Sequence, residues 1–296
     1  MPAPPDLLRG VEEISRDRRS GGRELGLKAL RVAEELCRRA RQGELGRGDV
    51  EAVLREIRRC RKAMGIVYNV GDMGLKALGR GGDWLENLSR ALRNMRGILE
   101  ASRERMVRFS RQVLRGVSSV ATISFSSNVF AALTKAGSVS RVVLLESRPG
   151  EEVVDAYRRL SGAGIEVTVL PDSNMLYAVK RSDAVVVGAD SITARDCFLI
   201  HKAGTSPLLT LARAVGVRTV VICEALKLID AEVGSIEMER WRYRVERLDA
   251  EFDSYPFDWT PINLVETLVT DHGLVEEPED SDIARVYLDV LMRVLD

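Results

Sequence analysis

DAVVVGADSITARDCFLIHKAGTSPLLTLARAVGVRTVVICEALKL, residues 183–228, is the stretch that decides the fold. It opens with a nearly continuous apolar run, which is typical of a strand covered on both faces of a parallel sheet. The helical pattern PLLTLARAVG follows, with Thr205 and Ser206 as N-cap candidates and Gly216 just past its end. A second apolar strand, RTVVIC, completes a strand–helix–strand unit.

The crossover in this unit brings Asp190 and Glu224 to one edge of the sheet. Each of them follows the last apolar residues of its strand, and connections between parallel strands are right-handed. The residues between Asp190 and the helix are predicted to form a polar loop. Open α/β sheets bind ligands at the carboxyl edge, so we expect the binding site there.

Three more strand candidates precede this unit. The segments are residues 118–125, 141–146 and 166–171, and amphipathic segments separate them. Strands that alternate with helices predict a doubly wound parallel sheet. We therefore predict an α/β protein in which residues 117–296 form a Rossmann-like domain.

Helical periodicity dominates the chain before residue 117. Apolar residues recur at helical spacing in residues 22–43, in residues 50–70 after a predicted cap at Asp49, and in a long helix that begins near Asp83. Each of these patterns would bury one face of its helix. Residues 1–116 are therefore predicted to form a helical N-terminal domain.

The C-terminal tail is predicted to contain two helices. Thr260 and Pro261 fit the N-cap and first position of a short helix, INLVETLV. The acidic run EEPEDSD is predicted to be a solvated loop that caps the last helix, IARVYLDVLMRVL. We expect the apolar face of that helix to pack on the sheet or on a second subunit.

Composition excludes several classes of function. The formal net charge is zero, so no overall field would recruit nucleic acid or an anionic membrane. No signal pattern is present, and no apolar run approaches the roughly 18 residues of a membrane span. The four cysteines lack CxxC spacing, which favours a reduced, cytoplasmic setting. We predict neither membrane insertion nor direct nucleic-acid binding.

Cofactor motifs are missing from the sequence. FSSNVF, which follows the first strand, has neither the glycines of GxGxxG nor the GK[ST] of a phosphate-binding loop. His201 and His272 are the only histidines, and they suggest neither a metal site nor a Cys–His pair. His272 is interpreted as a surface or capping residue, and His201 as loop structure or a catalytic group. We predict no cofactor and no metal.

Polar side chains follow every predicted strand. They include Ser127 after the first strand and Arg148 after the second, and three basic residues, Arg148, Lys202 and Lys227, are expected to converge on the same edge. Converging cations predict an anion site. The alternative is that these residues only form polar loops and cap the following helices.

Several longer strings resemble one protein family. They are RKAMGIVYN (61–69), ESRP (146–149), PDSN (171–174), GADSIT, IHKAGTS, ICEALKL and FDWTPINLVETLVTDHGLV. They are similar to the superfamily that joins the alpha, beta and delta regulatory subunits of translation initiation factor 2B to isomerases of methylthioribose 1-phosphate and ribose 1,5-bisphosphate. GADSIT and IHKAGTS most resemble the archaeal ribose-bisphosphate enzymes. The resemblance implies a helical N-terminal domain, a Rossmann-like C-terminal domain and a two-fold dimer.

The same resemblance implies roles for individual residues. In the isomerases an Asp at the position of Asp190 works with a Cys after the first strand, but Phe125 occupies the Cys position here. Ser20-Gly21-Gly22 stands where the family has Arg-Gly-Ala, and His201 replaces an Asn. The implied phosphate- or ligand-binding residues are Gly21, Arg61, Ser127, Arg148, His201, Lys202 and Lys227.

Two functions remain open from the sequence. The first is a regulatory or scaffold protein of the initiation factor 2B type, with a degenerate isomerase pocket that binds a sugar phosphate or a nucleotide. It would be a homodimer, with further assembly and initiation factor 2 as a partner left open. The second is an active aldose–ketose isomerase in which Asp190 works with Ser124, Ser126 or His201. A Phe125 ring that fills the sugar pocket would exclude catalysis.

Overall fold

The N-terminal part of the chain is helical, as predicted. The computed structural model describes residues 5–148, 150, 152–245 and 250–296. Its first helices are α1 (Pro5–Arg16), α2 (Gly22–Arg41), α3 (Arg47–Cys60), α4 (Gly65–Leu78) and α5 (Trp84–Val113). The first strand starts at Ser119. The division of the chain into domains after residue 116 stays a prediction.

Two acidic residues accept backbone hydrogen bonds at the starts of α3 and α5. The Asp83 carboxylate accepts the backbone N–H groups of Leu85 and Glu86, so Asp83 is the N-cap of α5, and the helix begins near Asp83 as predicted. Asp49 is not the N-cap of α3. It lies within the first turn of that helix, and its carboxylate accepts the N–H of Gly46 at 2.9 Å.

The predicted helix over residues 50–70 is wrong in one respect, because it is broken between α3 and α4. Gly65, at the start of α4, donates its N–H to the carbonyl oxygen of Asp190 at 2.9 Å. A Cβ atom on Gly65 would clash with the Lys227 carbonyl group and lie 2.9 Å from its Cα. The helix ends at Cys60 so that the chain can turn and meet the edge of the sheet.

The remainder of the chain alternates strands and helices. The strands are β1 (Ser119–Thr122), β2 (Arg141–Leu145), β3 (Glu166–Leu170), β4 (Ala184–Val187), β5 (Ser191–Thr193), β6 (Phe198–Lys202), β7 (Arg218–Ile222), β8 (Leu228–Ile229), β9 (Trp241–Val245), β10 (Ala250–Ser254), β11 (Phe257–Pro261), β12 (Thr267–Thr270) and β13 (Gly273–Glu276). The helices are α6 (Ser127–Ala136), α7 (Glu152–Gly162), α8 (Met175–Lys180), α9 (Thr205–Val215) and α10 (Asp280–Leu295).

The central sheet confirms the predicted doubly wound α/β architecture. It has seven strands in the order β13-β12-β7-β4-β1-β2-β3, and every neighbouring pair is parallel except β12 and β13. Successive residues of β4 enter opposite apolar clusters, since Val185 and Val187 belong to one and Ala184 and Val186 to the other. Burial on both faces explains the continuous apolar run.

The segment after Asp190 is not the predicted polar loop. It contains β5 and β6, an antiparallel pair in a second sheet of order β11-β6-β5-β8. Thr193 closes the connection, because its hydroxyl accepts the N–H of Phe198 at 2.9 Å and its carbonyl accepts the N–H of Cys197 at 3.1 Å. The polar residues of the turn made this short hairpin resemble a loop in the sequence. Its second strand carries His201 and Lys202.

The predicted helix INLVETLV is a strand. Only Ile262–Leu264 form a 3-10 turn, and β12 follows and pairs in parallel with β7. A short, fully buried strand cannot be told from a helix by periodicity alone. Pro261 ends β11, where Thr260 faces Leu199 of β6, so these two residues do not start a helix.

The N-cap of helix α9 lies one residue before the predicted caps, so that Thr205 is the first residue of the helix. Gly204 is its N-cap residue in the left-handed conformation (φ 100°), and the Asp258 carboxylate accepts the N–H groups of Gly204 and Ser206. Burial raises the pKa of Asp258 to about 6. Gly216 follows the end of α9 in the left-handed conformation, as predicted.

The last helix packs on the helices that begin the chain. Ile283, Val286 and Val290 of α10 are buried in the cluster that contains α4 and α5. Lys76 of α4 contacts the Tyr287 hydroxyl at 2.8 Å. The contacts of α10 are thus mainly with α4 and α5, and it also contacts β8 of the second sheet, while packing on a second subunit stays a prediction. No helix in the described part of the chain is long and apolar enough to cross a membrane.

Candidate functional site

Three parts of the chain meet at the carboxyl edge of the central sheet. Asp190 and Glu224 lie just beyond β4 and β7, as the crossover predicts. The start of α2 approaches them, because a Cβ on Gly22 would lie 3.3 Å from Asp190 Oδ1 and 3.8 Å from Lys227 Cε. Gly22 therefore lies closer to the acid than Gly21, which is exposed. The break between α3 and α4 supplies the third wall.

Asp190 is held by its backbone, and its carboxylate lies beside Gly22 and Lys227, in the region between the sheet edge and the start of α2 that we call the pocket. Its N–H donates to the carbonyl oxygen of Ile200, and its own carbonyl accepts from Gly65, both at 2.9 Å. Burial raises the pKa of Asp190 to about 6, against the opposing effects of Lys227 and Arg61. A carboxyl group with this pKa can both give and take a proton near neutral pH.

Glu224 is fully buried within a set of charged and amide groups. Its oxygens lie 2.9 Å from Arg23 Nη1, 3.1 Å from Lys227 Nζ and 2.6 Å from Asn128 Nδ2. Burial favours the neutral acid, but Lys227 and Arg23 outweigh it and hold the pKa of Glu224 at about 2. Lys227 also donates to the carbonyl oxygen of Ala189 at 2.7 Å. This network fixes Lys227 as a buried cation beside Asp190.

His201 is buried and presents a lone pair to the pocket. The Thr205 hydroxyl donates to the carbonyl oxygen of Lys202 at 2.6 Å, so it must accept the Nδ1–H of His201 at 2.9 Å. Burial, aided by Lys227 and Lys202, lowers the pKa of His201 to about 3. The ring is therefore neutral, with Nε2 unprotonated.

The free nitrogen of His201 faces the start of α6. A Cβ on Gly188 would lie 3.2 Å from His201 Nε2 and 2.8 Å from Ser126 Oγ. Ser126 is the N-cap of α6, and its hydroxyl accepts the N–H of Val129 at 3.4 Å. Ser127, the predicted ligand-binding residue, is the first residue of that helix. Gly188 thus leaves space between a hydrogen-bond acceptor and a helix N-terminus.

Lys202 and Arg61 are buried cations that acidic side chains already neutralise. Lys202 Nζ lies 2.9 Å from Glu152 Oε1, and Arg61 Nη2 lies 2.7 Å from Glu239 Oε1. Arg61 also donates to the carbonyl oxygen of Asp17. Both cations act on Asp190, since both oppose the rise in its pKa.

Arg148 does not join these cations. Its side chain is 64% exposed and lies 3.4 Å from Glu146 Oε2. It is not among the charges with the largest effects on Asp190. Its backbone N–H donates to the Asp172 carboxylate at 2.8 Å, so the start of ESRP is held at the neighbouring strand end. Pro149, the last residue of that string, lies outside the described residues.

The Phe125 ring does not fill the pocket around Asp190. Its centroid lies 6.1 Å from that of Phe130, and the Arg159 guanidinium lies 5.0 Å above the ring. The ring packs with the apolar cluster between the sheet and α6 and α7. A Phe125 ring that filled the sugar pocket would have excluded catalysis, and the position of this ring does not.

The cysteines do not replace the missing thiol. Cys223 is buried at the end of β7, and its burial raises the pKa of the thiol to about 12. Burial likewise raises the pKa of Cys60 and Cys197 to about 12. Within residues 5–148, 150, 152–245 and 250–296, no group of three or more His, Cys, Asp or Glu could hold a metal ion.

Sequence reasoning missed several residues of this site. Arg23, Asn128, Glu152, Glu239 and Trp241 contact the predicted cations or their partners. Arg23 could have been found from the sequence, because it directly follows Gly21 and Gly22, which stand where the resemblance places an Arg-Gly-Ala element. Glu239 and Trp241 lie in a segment without a motif, and only the folded chain brings them to the pocket.

Comparison with known proteins gives one family. The family described as "Initiation factor 2 subunit family" matches residues 19–277. A putative translation initiation factor eIF-2B subunit 2-like protein of Pyrococcus horikoshii is 28% identical over 288 residues, which cover 94% of this chain and 99% of that protein. The ribose 1,5-bisphosphate isomerase of Archaeoglobus fulgidus is 33% identical over 142 residues, or 45% of each chain.

Solved structures share the fold. The crystal structure of the P. horikoshii translation initiation factor eIF-2B superposes with a TM-score of 0.81 at 23% identity, covering 94% of this chain and 99% of that one. The tetrameric eIF2B-beta2-delta2 complex of Chaetomium thermophilum gives a TM-score of 0.74 at 14% identity, with coverages of 97% and 94%.

Proposed function

The chain belongs to the initiation factor 2 subunit family, and we propose that it is a regulatory or scaffold member whose pocket binds a phosphate-bearing ligand without rearranging it. The observation that carries this proposal is the composition of the pocket. Arg61, Lys202 and Lys227 surround Asp190, while Phe125 stands where the resemblance expects the catalytic cysteine. The cations that would bind a phosphate are therefore present, but the thiol that would work with Asp190 in catalysis is missing.

The missing thiol would have a large effect on turnover. A single positioned acid or base contributes about 10²–10⁴-fold to a proton-transfer reaction. Moving a proton between adjacent sugar carbons needs a group that removes it and a group that returns it. Asp190 can serve as one of these, since its pKa is raised to about 6 by burial. The cysteine position offers only an aromatic ring.

The ligand that fits these groups is a sugar phosphate or a nucleotide. A phosphate supplies acceptor oxygens for Arg61 and Lys202, and charge-assisted hydrogen bonds of this kind are strong and short. The unprotonated Nε2 of His201 would accept a hydrogen bond from a hydroxyl of the ligand. A ligand with both a phosphate and a sugar hydroxyl satisfies both requirements.

The assembly forms part of the same proposal. We take the protein to be a cytoplasmic, archaeal homodimer, with further assembly and initiation factor 2 as candidate contacts. The eIF2B relative with the same fold is described as a tetrameric beta2-delta2 complex, which supports assembly through subunits of this fold. Sedimentation of the purified chain, alone and with initiation factor 2, tests both points.

A second candidate function is an active aldose–ketose isomerase. Two observations favour it, namely that the Phe125 ring packs toward Phe130 and Arg159, and that Asp190 has a pKa near neutral. Asp190 would then work with His201, Ser124 or Ser126. Neutral His201 can take a proton at Nε2, although burial lowers its pKa to about 3 and makes it a weak base.

One pair of measurements separates these functions. The purified chain is given ribose 1,5-bisphosphate or methylthioribose 1-phosphate, and binding is measured by calorimetry while ketose formation is followed by NMR. We expect heat of binding for at least one of the two and no ketose above the protein-free control. Ketose formation that is abolished by Asp190→Asn would establish the isomerase, and absence of binding would remove these sugar phosphates from the proposed ligands.

A further inference from the structure

Glu239 pairs with a cation that an anionic ligand of this pocket needs. Its Oε1 lies 2.7 Å from Nη2 of Arg61, whose side chain is only 4% exposed. Its Oε2 accepts a hydrogen bond from Trp241 Nε1 at 3.1 Å. One oxygen of this carboxylate therefore forms an ion pair with Arg61, and the other accepts a hydrogen bond from the indole.

The segment that carries Glu239 is seated over the buried cations. Residues 236–240 form no regular structure between a 3-10 turn and β9. Lys62, next to Arg61, donates to the carbonyl oxygen of Ser235 at 3.2 Å. The Trp241 ring lies 6.0 Å from Lys202 Nζ and 5.4 Å from Arg18 Cζ, which are cation–π distances. Glu239 and Trp241 thus contact Arg61 and Lys202 together.

The negative charge of Glu239 also affects the pKa of Asp190. Burial is the largest cause of the raised pKa of Asp190, and the negative charge of Glu239 raises it further. Arg61 acts on Asp190 in the opposite direction. Glu239 is therefore close enough to compete with any other anion for the positive field around Arg61.

We propose that Glu239 is a built-in competitor that a phosphate-bearing ligand displaces from Arg61, and that it sets the specificity of the pocket for doubly charged anions. This inference rests on the proposed function, because it concerns the ligand of the same pocket. A singly charged carboxylate would only replace Glu239 by an equivalent group. A phosphate dianion brings more charge and more acceptor oxygens to Arg61, so it gains from the exchange.

Calorimetry with inorganic phosphate at pH 8 tests the competition on the full chain. Glu239→Gln removes the charge and keeps the shape of the side chain. Glu237→Gln is the matched control, because Glu237 is exposed in the same segment and carries the same charge. We expect Glu239→Gln to bind phosphate about tenfold more tightly than the wild type, the equivalent of one lost charge-assisted contact. The control should stay within about twofold of the wild type.

Fluorescence of Trp241 reports the displacement directly. The chain has three tryptophans, so Trp84→Phe combined with Trp259→Phe leaves only Trp241. Phosphate should change its emission when Glu239 leaves the indole N–H, and the change should be smaller in the Glu239→Gln protein. Equal phosphate affinity with and without Glu239, or unchanged emission at saturation, would overturn the competitor and leave the pocket intact. No phosphate binding by either protein would overturn both proposals.

Discussion

The backbone N–H of Gly65 donates to the carbonyl oxygen of Asp190 at 2.9 Å, which ties the start of α4 to the end of β4. The contact requires a residue without a side chain, because a Cβ on Gly65 would clash with the Lys227 carbonyl group. The same close approach positions Asp190 and Lys227 beside each other. A glycine in the helical part of the chain therefore shapes the pocket at the sheet edge.

Gly65→Ala should destabilise the protein. The new methyl group must push α4 away from the Lys227 backbone, and overpacking of this kind costs about 2–3 kcal/mol. Urea unfolding followed by circular dichroism measures the loss. Gly97→Ala is the control, because Gly97 is an exposed residue within α5 and a Cβ there meets nothing within 4 Å. It should stabilise the protein by up to about 1 kcal/mol, and equal effects of the two substitutions would contradict the assigned contact.

Asp190→Asn should change how stability depends on pH. The pKa of Asp190 is raised by burial to about 6 in the folded state, from 3.8 when unfolded. The folded protein therefore holds the proton more tightly, and this group's contribution to stability falls as the pH rises from about 4 to 6. The amide carries no charge, so the variant should be more stable than wild type at pH 8, by about 1–2 kcal/mol after allowance for solvent screening.

The opposite sign is expected for Asp183, which serves as the control. Backbone N–H groups of Ser119 and Ser118 lower the pKa of its carboxyl to about 2. Asp183→Asn should therefore cost stability at pH 7, and the cost should shrink as the pH falls below about 4. Urea midpoints of the three proteins between about pH 2 and pH 8 give both trends, the Asp183 trend below about pH 4 and the Asp190 trend between about pH 4 and 6. Parallel curves for wild type and Asp190→Asn would mean that the pKa of Asp190 is not raised.

Glu224→Gln should be among the most damaging single changes at this edge. It leaves Arg23 and Lys227 without their buried counter-charge, and breaking a buried ion pair costs about 3–5 kcal/mol. The free energy of unfolding in urea measures this effect. Glu277→Gln is the matched control, because Glu277 pairs with Arg213 while 60% exposed, and such surface pairs contribute about 0–1 kcal/mol. Similar losses from both substitutions would show that the Glu224 network is not a structural centre.

The architecture was predictable because short apolar runs mark the strands, although β3, at the edge of the central sheet, is largely exposed. Each of the five strands predicted from such runs lies in the central sheet. Two other strands were missed for different reasons: β5 has only three residues, and the apolar run that contains β12 follows Thr260 and Pro261, which also fit the start of a helix. Tertiary contact decided the break before Gly65, which local propensity for a helix does not reveal.

The candidate site was predictable where residues follow strands in sequence. Asp190, Lys202 and Lys227 meet because each lies at or just beyond the end of a strand near the same edge. Arg148 also follows a strand, but its exposed side chain pairs with Glu146 instead. Position at the edge can be inferred from topology, whereas the direction of a side chain depends on which partners the folded chain supplies.

Lys202→Ala should weaken binding of a phosphate-bearing ligand, and Arg148→Ala should not. Lys202 is a buried cation beside Asp190, so its loss removes a charge-assisted contact in a poorly solvated site and should reduce affinity about 10–100-fold. Arg148 is the same kind of sequence candidate with its side chain in solvent, so its loss should change affinity less than about twofold. Calorimetry with ribose 1,5-bisphosphate, after thermal unfolding shows that both variants are folded, makes the comparison. A larger loss of affinity from Arg148→Ala than from Lys202→Ala would place the phosphate at the second strand end instead of beside Asp190.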